Sequence, residues 1–303
     1  MFARRTRGAL LASAALLTLV GCTGVQAEQP APPQSSTTTP SAASVSHEDF
    51  ERLEREFDAR LGVYAVDTAT GRELSYRGDE RFAYASTHKA LTAGAVLRQT
   101  SLEGLDKRIT YDRADLVAYS PITKKHVDSG MTLRAVLDAA VRHSDNTAAN
   151  LMFDELGGPE GLSAVLREIG DTTTHVDRIE PELNETEPGD IRDTSTPRAL
   201  ATSLRAFTVG NALPKDERAV LNRMLRNVTT SDELIRAGAP DGWRVGDKSG
   251  AADYGTRNDI AVLWPPERAP IVLAVLSDRD TADAEYDSAL IARAAEVAVR
   301  SFR

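Results

Sequence analysis

Ser86-Thr87-His88-Lys89 sets a hydroxyl and an amine three residues apart. On a helix, positions i and i+3 share one face, so such an amine reaches such a hydroxyl. A serine hydroxyl is unreactive at neutral pH until a base removes its proton. The residues that follow, Ala90 to Leu97, are nearly all apolar. A helix that is apolar all round is a buried one. Burial lowers a lysine pKa and favours the neutral amine, which is what a base requires. Taken alone, the same residues also fit a helix start with Ser86 as cap and Lys89 in solvent. Three further motifs change the balance. Ser144-Asp145-Asn146 comes next, then Arg178-Ile179-Glu180-Pro181-Glu182-Leu183-Asn184, then Lys248-Ser249-Gly250.

Each of these three is weak by itself. Ser144-Asp145-Asn146 follows a helical pattern over Leu133–Val141 and reads alone as a polar turn. The Arg178–Asn184 stretch continues through Glu187-Pro188-Gly189-Asp190-Ile191-Arg192-Asp193. It is long, acidic and rich in Pro and Gly, as an Ω-type loop is. Alone it reads as a solvated acidic loop, with Arg178 and Asp193 placed to pair across its neck. Lys248-Ser249-Gly250 sits within Trp243–Ala252, a strand pattern, and reads alone as a strand end.

In this order the set resembles the Ser-x-x-Lys, Ser-Asp-Asn and Lys-Thr-Gly pattern of class A β-lactamases and penicillin-binding proteins. The resemblance runs from about His47 to the C-terminus. It implies Ser86 as nucleophile and Lys89 as its amine partner. It implies Ser144 as donor to the leaving nitrogen and Glu180 as base for a hydrolytic water. Whether Lys89 or Glu180 is the base for acylation stays open at this point. Asn184 would share the water, and Asn146 would hold the substrate amide and touch Lys89. Lys248, Ser249 and Arg257 would receive the substrate carboxylate. Gly250 would let substrate approach the backbone. The N–H groups of Ser86 and Ala251 would form the oxyanion hole. Tyr119 would line the mouth.

The resemblance leaves three readings in competition. A β-lactamase needs a carboxylate that drives water onto the acyl-enzyme, a role worth ~10²–10⁴-fold in rate. A D,D-peptidase or an acylated sensor shares the serine and lysine motifs without needing that loop. Glu180 and Asn184 therefore favour the hydrolase, an enzyme acting on cyclic amide C–N bonds. Penicillins are the expected substrates. Cephalosporin or carbapenem activity would depend on cleft width near Ala252, Ala118 and the loop. Ala85 and the single cysteine exclude a disulfide beside the nucleophile.

The elements that must position these residues are also legible. Arg4, Arg5 and Arg7 precede an apolar run from Ala9 to Val20, too short for a membrane span and typical of an export signal over 1–21. It ends in Leu19-Val20-Gly21-Cys22, which resembles a lipobox with Cys22 lipidated. Val25-Gln26-Ala27 offers an ordinary cleavage site instead. Residues 22–46 read as an anchor cysteine and flexible tether, rich in Pro, Ser and Thr. The catalytic domain is expected over 47–303, with 47–84 and 228–303 forming an α/β part and 85–227 an all-α part. Phe50, Leu53, Phe57 and Leu61 follow a helical stripe, and Leu61–Asp67 reads as a strand. Two apolar runs, Asp259–Trp264 and Ile271–Leu276, joined through Pro265-Pro266, read as a hairpin. Leu290, Ile291, Ala294 and Val297 mark a closing helix. The expected fold is α+β: an antiparallel sheet, five-stranded by the resemblance, flanked by the first and last helices, with an all-α insertion and the site between the two parts.

The net charge is −9, and losing Arg4, Arg5 and Arg7 would lower it by three, to −12. An acidic surface argues against nucleic-acid binding. The five histidines have no metal-ligand spacing. No cofactor is expected, and His88 is expected to pack rather than react. The expected protein is an exported monomer, held at the membrane only through Cys22.

Overall fold

The computed structural model describes residues 42–303, with side chains from His47. The expectations for the signal segment and for Cys22 lie outside the described residues. The elements in chain order are α1 (Ala42–Phe57), β1 (Arg60–Asp67), β2 (Glu73–Tyr76), β3 (Phe82–Ala83), α2 (His88–Gln99), β4 (Arg108–Ile109), β5 (Met131–Thr132), α3 (Leu133–His143), α4 (Asn146–Leu156), α5 (Pro159–Glu168), β6 (Thr194–Ser195), α6 (Pro197–Thr208), α7 (Lys215–Arg226), α8 (Ile235–Gly238), β7 (Arg244–Ala252), β8 (Thr256–Trp264), β9 (Ile271–Asp278) and α9 (Ser288–Arg300).

Five strands form one antiparallel sheet in the order β2-β1-β9-β8-β7. This is the expected α+β architecture. Both faces of its centre are covered, so β9 reads as an unbroken apolar run rather than an alternating one. Along it, Ile271, Leu273 and Val275 enter one core with Phe50, Leu53 and the apolar face of α9. Val272, Ala274 and Leu276 enter a second core with Leu204 and Phe207 of α6 and the apolar faces of α2, α3 and α4. The period of two along a strand makes this division.

That second core is shared between the helices and the sheet. The helical part does not close around itself, because its core includes Tyr64, Val66, Ile260 and Val262 from the sheet. One boundary lies elsewhere than expected. Helix α1 begins at Ala42, inside the expected tether. Helices propagate cheaply once an amphipathic stretch is docked, and Phe50 and Leu53 are buried at the end of this one. Leu61, which the stripe and the strand reading share, lies in β1 opposite Ser277.

Candidate active site

Helix α2 is entered through a short turn, Ala85–Thr87, whose Ala85 takes φ +48°. The turn leaves Ser86 half-buried at the helix entrance, with Lys89 one turn on and wholly buried. Lys89 Nζ donates to Ser86 Oγ at 2.8 Å, to the Ser144 carbonyl at 2.9 Å and to Asn146 Oδ1 at 2.5 Å. It also lies 2.8 Å from Glu180 Oε1. Ser86 Oγ is 3.3 Å from the same carboxylate oxygen. The hydroxyl thus accepts from the lysine and has the Glu180 carboxylate as its acceptor, with the lysine a second acceptor only in its neutral form.

Ser144 ends α3 in the left-handed region, φ +56°, and Asp145 immediately caps α4 by accepting from the Ala148 N–H. The Asp145 carboxylate also accepts from Ile122 N, Thr123 N and Thr123 Oγ1. That tie fixes the 119–123 segment, and Asn146 N in turn donates to the Tyr119 carbonyl at 3.0 Å. Tyr119 is 61 % exposed with φ +59°.

Glu180 is held from both ends. Its N–H donates to Asn150 Oδ1 at 2.9 Å, and its carbonyl accepts from Asn150 Nδ2 at 2.8 Å. Asn184 Nδ2 donates to Glu180 Oε2 at 2.5 Å. Asn184 Oδ1 is buried without a protein donor. The loop neck closes on buried Asp193, which accepts from Arg178 Nε at 2.6 Å, from Asp177 N and Arg178 N, and from Tyr84 Oη at 3.0 Å. The neck is thereby tied to the strand end that delivers the nucleophile.

The electrostatics follow from burial and contact. Burial pushes the Glu180 carboxyl up, but the Lys89 ammonium and His88 beside it bring it well below the usual carboxylate range. Glu180 is therefore ionised. Burial lowers the Lys89 amine, against the opposing pull of Glu180. Lys248 is fully buried, and burial together with the Lys89 charge pushes it down to about 7. It donates to Ser144 Oγ at 3.1 Å and to the Ser249 carbonyl at 2.7 Å. Behind β7, Arg236 donates to buried Asp247, and Ile235 N donates to buried Asp259 at 3.1 Å. Burial pushes both carboxyls up, and Asp247 pushes Asp259 further.

A cleft of about 470 Å³ gathers Ser86, Tyr119, Ser144, Asn146, Asn184, Ser249, Gly250, Ala251 and Arg257 on one surface. A larger cavity of about 650 Å³ lies between residues 186–192 and the ends of β3 and β9. The smaller cleft holds Ser86 and is the candidate site.

Three sequence expectations change in detail. Lys248 does not line the cleft but stands behind Ser144 and Ser249. Gly250 makes room for protein: a Cβ there would stand 2.9 Å from the Tyr84 carbonyl and 3.1 Å from Ser86 N. The missing side chain lets β7 touch the nucleophile turn, which brings Ala251 beside Ser86. His88 stacks on Phe153, with ring centroids 5.2 Å apart, yet its Nε2 also lies 3.4 Å from Glu180 Oε1.

Sequence reasoning missed Asn150, Thr230 and Tyr286. Asn150 lies four residues after Asn146, a helical spacing that could have flagged it. Thr230 Oγ1 lies 3.0 Å from Ser249 Oγ, and Tyr286 completes the cleft wall. Neither carries a local sequence signal.

Comparison with known proteins gives the same picture. Residues 46–302 match the model of the β-lactamase enzyme family. A β-lactamase of Bacillus amyloliquefaciens is 57 % identical over 266 residues, covering 88 % of this chain and 87 % of that protein. One of Bacillus licheniformis is 55 % identical, covering 93 % and 91 %. The crystal structure of a class A β-lactamase from Clostridium kluyveri superposes with a TM-score of 0.84 at 52 % identity, covering 84 % of this chain and 98 % of that one.

Proposed function

The chain belongs to the β-lactamase enzyme family as a class A serine enzyme that hydrolyses β-lactams and confers resistance to them, and from that premise we propose which side chains perform each step. Ser86 Oγ attacks the lactam carbonyl. Its proton passes to the Lys89–Glu180 pair: directly to the Glu180 carboxylate at 3.3 Å, or to Lys89 at 2.8 Å once that amine has given its own proton to Glu180. The developing oxyanion is received by the N–H groups of Ser86 and Ala251, an arrangement worth most where water is excluded. The amide C–N bond breaks as Ser144 gives its proton to the nitrogen, and the Lys89 and Lys248 amines behind its hydroxyl resupply it. An ester on Ser86 results.

Water then attacks that ester. Glu180, ionised, takes one water proton, and Asn184 Oδ1 accepts from the other. The tetrahedral intermediate collapses, Ser86 regains its proton and the ring-opened acid leaves. Asn146 holds the amide side chain of the substrate. Ser249 and Arg257 bind its carboxylate within the field of Lys248, and Tyr119 flanks the entrance. Penicillins are the main substrates.

The observation that carries this reading is Glu180, fixed by Asn150 and Asn184 and 3.3 Å from the Ser86 hydroxyl. A peptidase or sensor has no use for a carboxylate held there. The test is mass spectrometry of Glu180→Ala during incubation with a penicillin. A persistent adduct on Ser86, with turnover slowed by ~10²–10⁴-fold, is expected. Wild-type turnover without adduct would remove Glu180 from the mechanism, and hydrolysis surviving in Ser86→Ala would remove the nucleophile.

The apolar run ending at Cys22 supports export and lipid anchoring of a monomer whose site is complete within one chain. Cys22→Ser should move the protein from the membrane to the soluble fraction. An unchanged fractionation would mean that ordinary cleavage operates.

A further inference from the structure

Tyr286 belongs to none of the motifs. The segment that carries it leaves β9 and is pinned to the β7–β8 turn: Arg279 N donates to the Tyr254 carbonyl at 2.7 Å, and Tyr254 N donates to the Ala282 carbonyl at 3.1 Å. Asp287, the next residue after Tyr286, caps α9 through Ala289 N at 2.8 Å. These ties hold the Tyr286 ring, 48 % exposed, in the cleft wall. The Arg257 guanidinium lies over that ring, 4.7 Å from its centroid.

Arg257 is otherwise uncommitted. Its Nε is buried without an acceptor, and among the described residues its guanidinium has neither a hydrogen-bond nor an ion-pair partner. Arg60, Arg178 and Arg198, by contrast, are each bound to a carboxylate. A ring face attracts a cation through its quadrupole without neutralising it. A carboxylate in the same place would hold the arginine and cancel its charge.

We propose that Tyr286 is a positioning residue for substrate affinity: its ring fixes the Arg257 guanidinium in the cleft and leaves its charge for the substrate carboxylate. This rests on the reading of Arg257 as a carboxylate anchor. Tyr286 touches none of the reacting atoms, so its removal alters binding and not the chemical steps.

The test is steady-state kinetics with a penicillin for Tyr286→Ala, Tyr286→Phe, Arg257→Ala and the Tyr286→Ala/Arg257→Ala pair. An exposed cation–π contact corresponds to about a two- to five-fold effect. Tyr286→Ala should raise KM by that factor at unchanged kcat. Tyr286→Phe, which keeps the ring face, should match the parent. In the Arg257→Ala background, Tyr286→Ala should add nothing. If Arg257→Ala raises KM while Tyr286→Ala does not, the role of Tyr286 is overturned and the anchor stands. A Tyr286 effect that persists undiminished without Arg257 would overturn that role as well. If Arg257→Ala leaves KM unchanged, the anchor itself falls, and the proposal falls with it.

Discussion

Lys248 changes charge within the working range of the protein, because burial and the Lys89 ammonium push it down to about 7. A substrate carboxylate near it favours the charged form, so binding takes up a proton and strengthens as pH falls. With a pKa of about 7, the amine is about nine-tenths charged at pH ~6 and about one-tenth charged at pH ~8. At an effective dielectric of about 20, a unit charge about 6 Å away is worth ~3 kcal/mol, more than enough to make the two forms differ. The titration therefore sets the ceiling, a rise in Kd of about tenfold across that window. Arg257 and Ser249 stay in place throughout, which brings the expected rise to about three- to tenfold. The assay uses Ser86→Ala, which binds without acylating, with calorimetric Kd values for a penicillin and for its methyl ester. The free acid should follow the titration and plateau below pH ~6, while the ester stays flat. A Kd constant within about twofold for the acid, or an equal drift for the ester, would refute a role for the Lys248 charge in binding.

Two further outcomes follow from buried carboxylates. Asp193→Ala would leave Arg178, Tyr84 and two backbone N–H groups without their acceptor, and breaking a buried pair costs about 3–5 kcal/mol. A thermal midpoint lower by on the order of 10 °C should result, with loss of turnover as the loop carrying Glu180 comes free; a shift of a degree or less would show that the neck is not held there. Asp259 has its pKa raised in the folded state by burial and by Asp247. Its stabilisation is therefore complete below the unfolded carboxylate value and fades as pH rises toward the folded one, at about 1.4 kcal/mol per unit. Asp259→Asn should flatten that decline in thermal melts between pH ~5 and pH ~8; an unchanged slope would mean that Asp259 does not hold its proton in the native protein.

The chemistry-bearing residues were legible because each travels with a spacing that encodes its geometry. Ser86 and Lys89 are one helical turn apart. Lys248 to Ala251 lie on one strand. The sheet was legible from two apolar runs of strand length and a turn between them. Depth was legible for Lys89, whose helix is apolar all round, but not for the strand residues. Lys248 reads as a cleft cation, yet β7 turns it inward behind Ser144, because only the paired strand decides which face is covered. Gly250 reads as space for a ligand, yet the neighbour that needs the space is the turn at Tyr84–Ser86, about 165 residues earlier in the chain. Tyr286 lies in a segment with no periodicity at all, and its contact with Arg257 exists only after the sheet has brought β8 and the approach to α9 together. The partner of each buried face was not legible either. Apolar periodicity identifies buried faces but not which partner buries them, and α6 is buried on the sheet.

Ala85, Tyr119, Ser144 and Asp193 all hold left-handed backbone around the cleft. A residue with a Cβ loses roughly 1–2 kcal/mol in that conformation. In terms of selection, these positions are not equivalent. A library screened for heat resistance alone should accumulate glycine or asparagine at Tyr119 and Ser144, since both tolerate the conformation, but should keep Asp193, whose buried carboxylate holds Arg178 and Tyr84. At Tyr119 such a change removes only an exposed ring. At Ser144 it removes the hydroxyl that the position presents. Heat resistance and turnover should therefore part company at Ser144, fall together at Asp193 and remain compatible at Tyr119, which makes Tyr119 the place where this scaffold has room to gain stability.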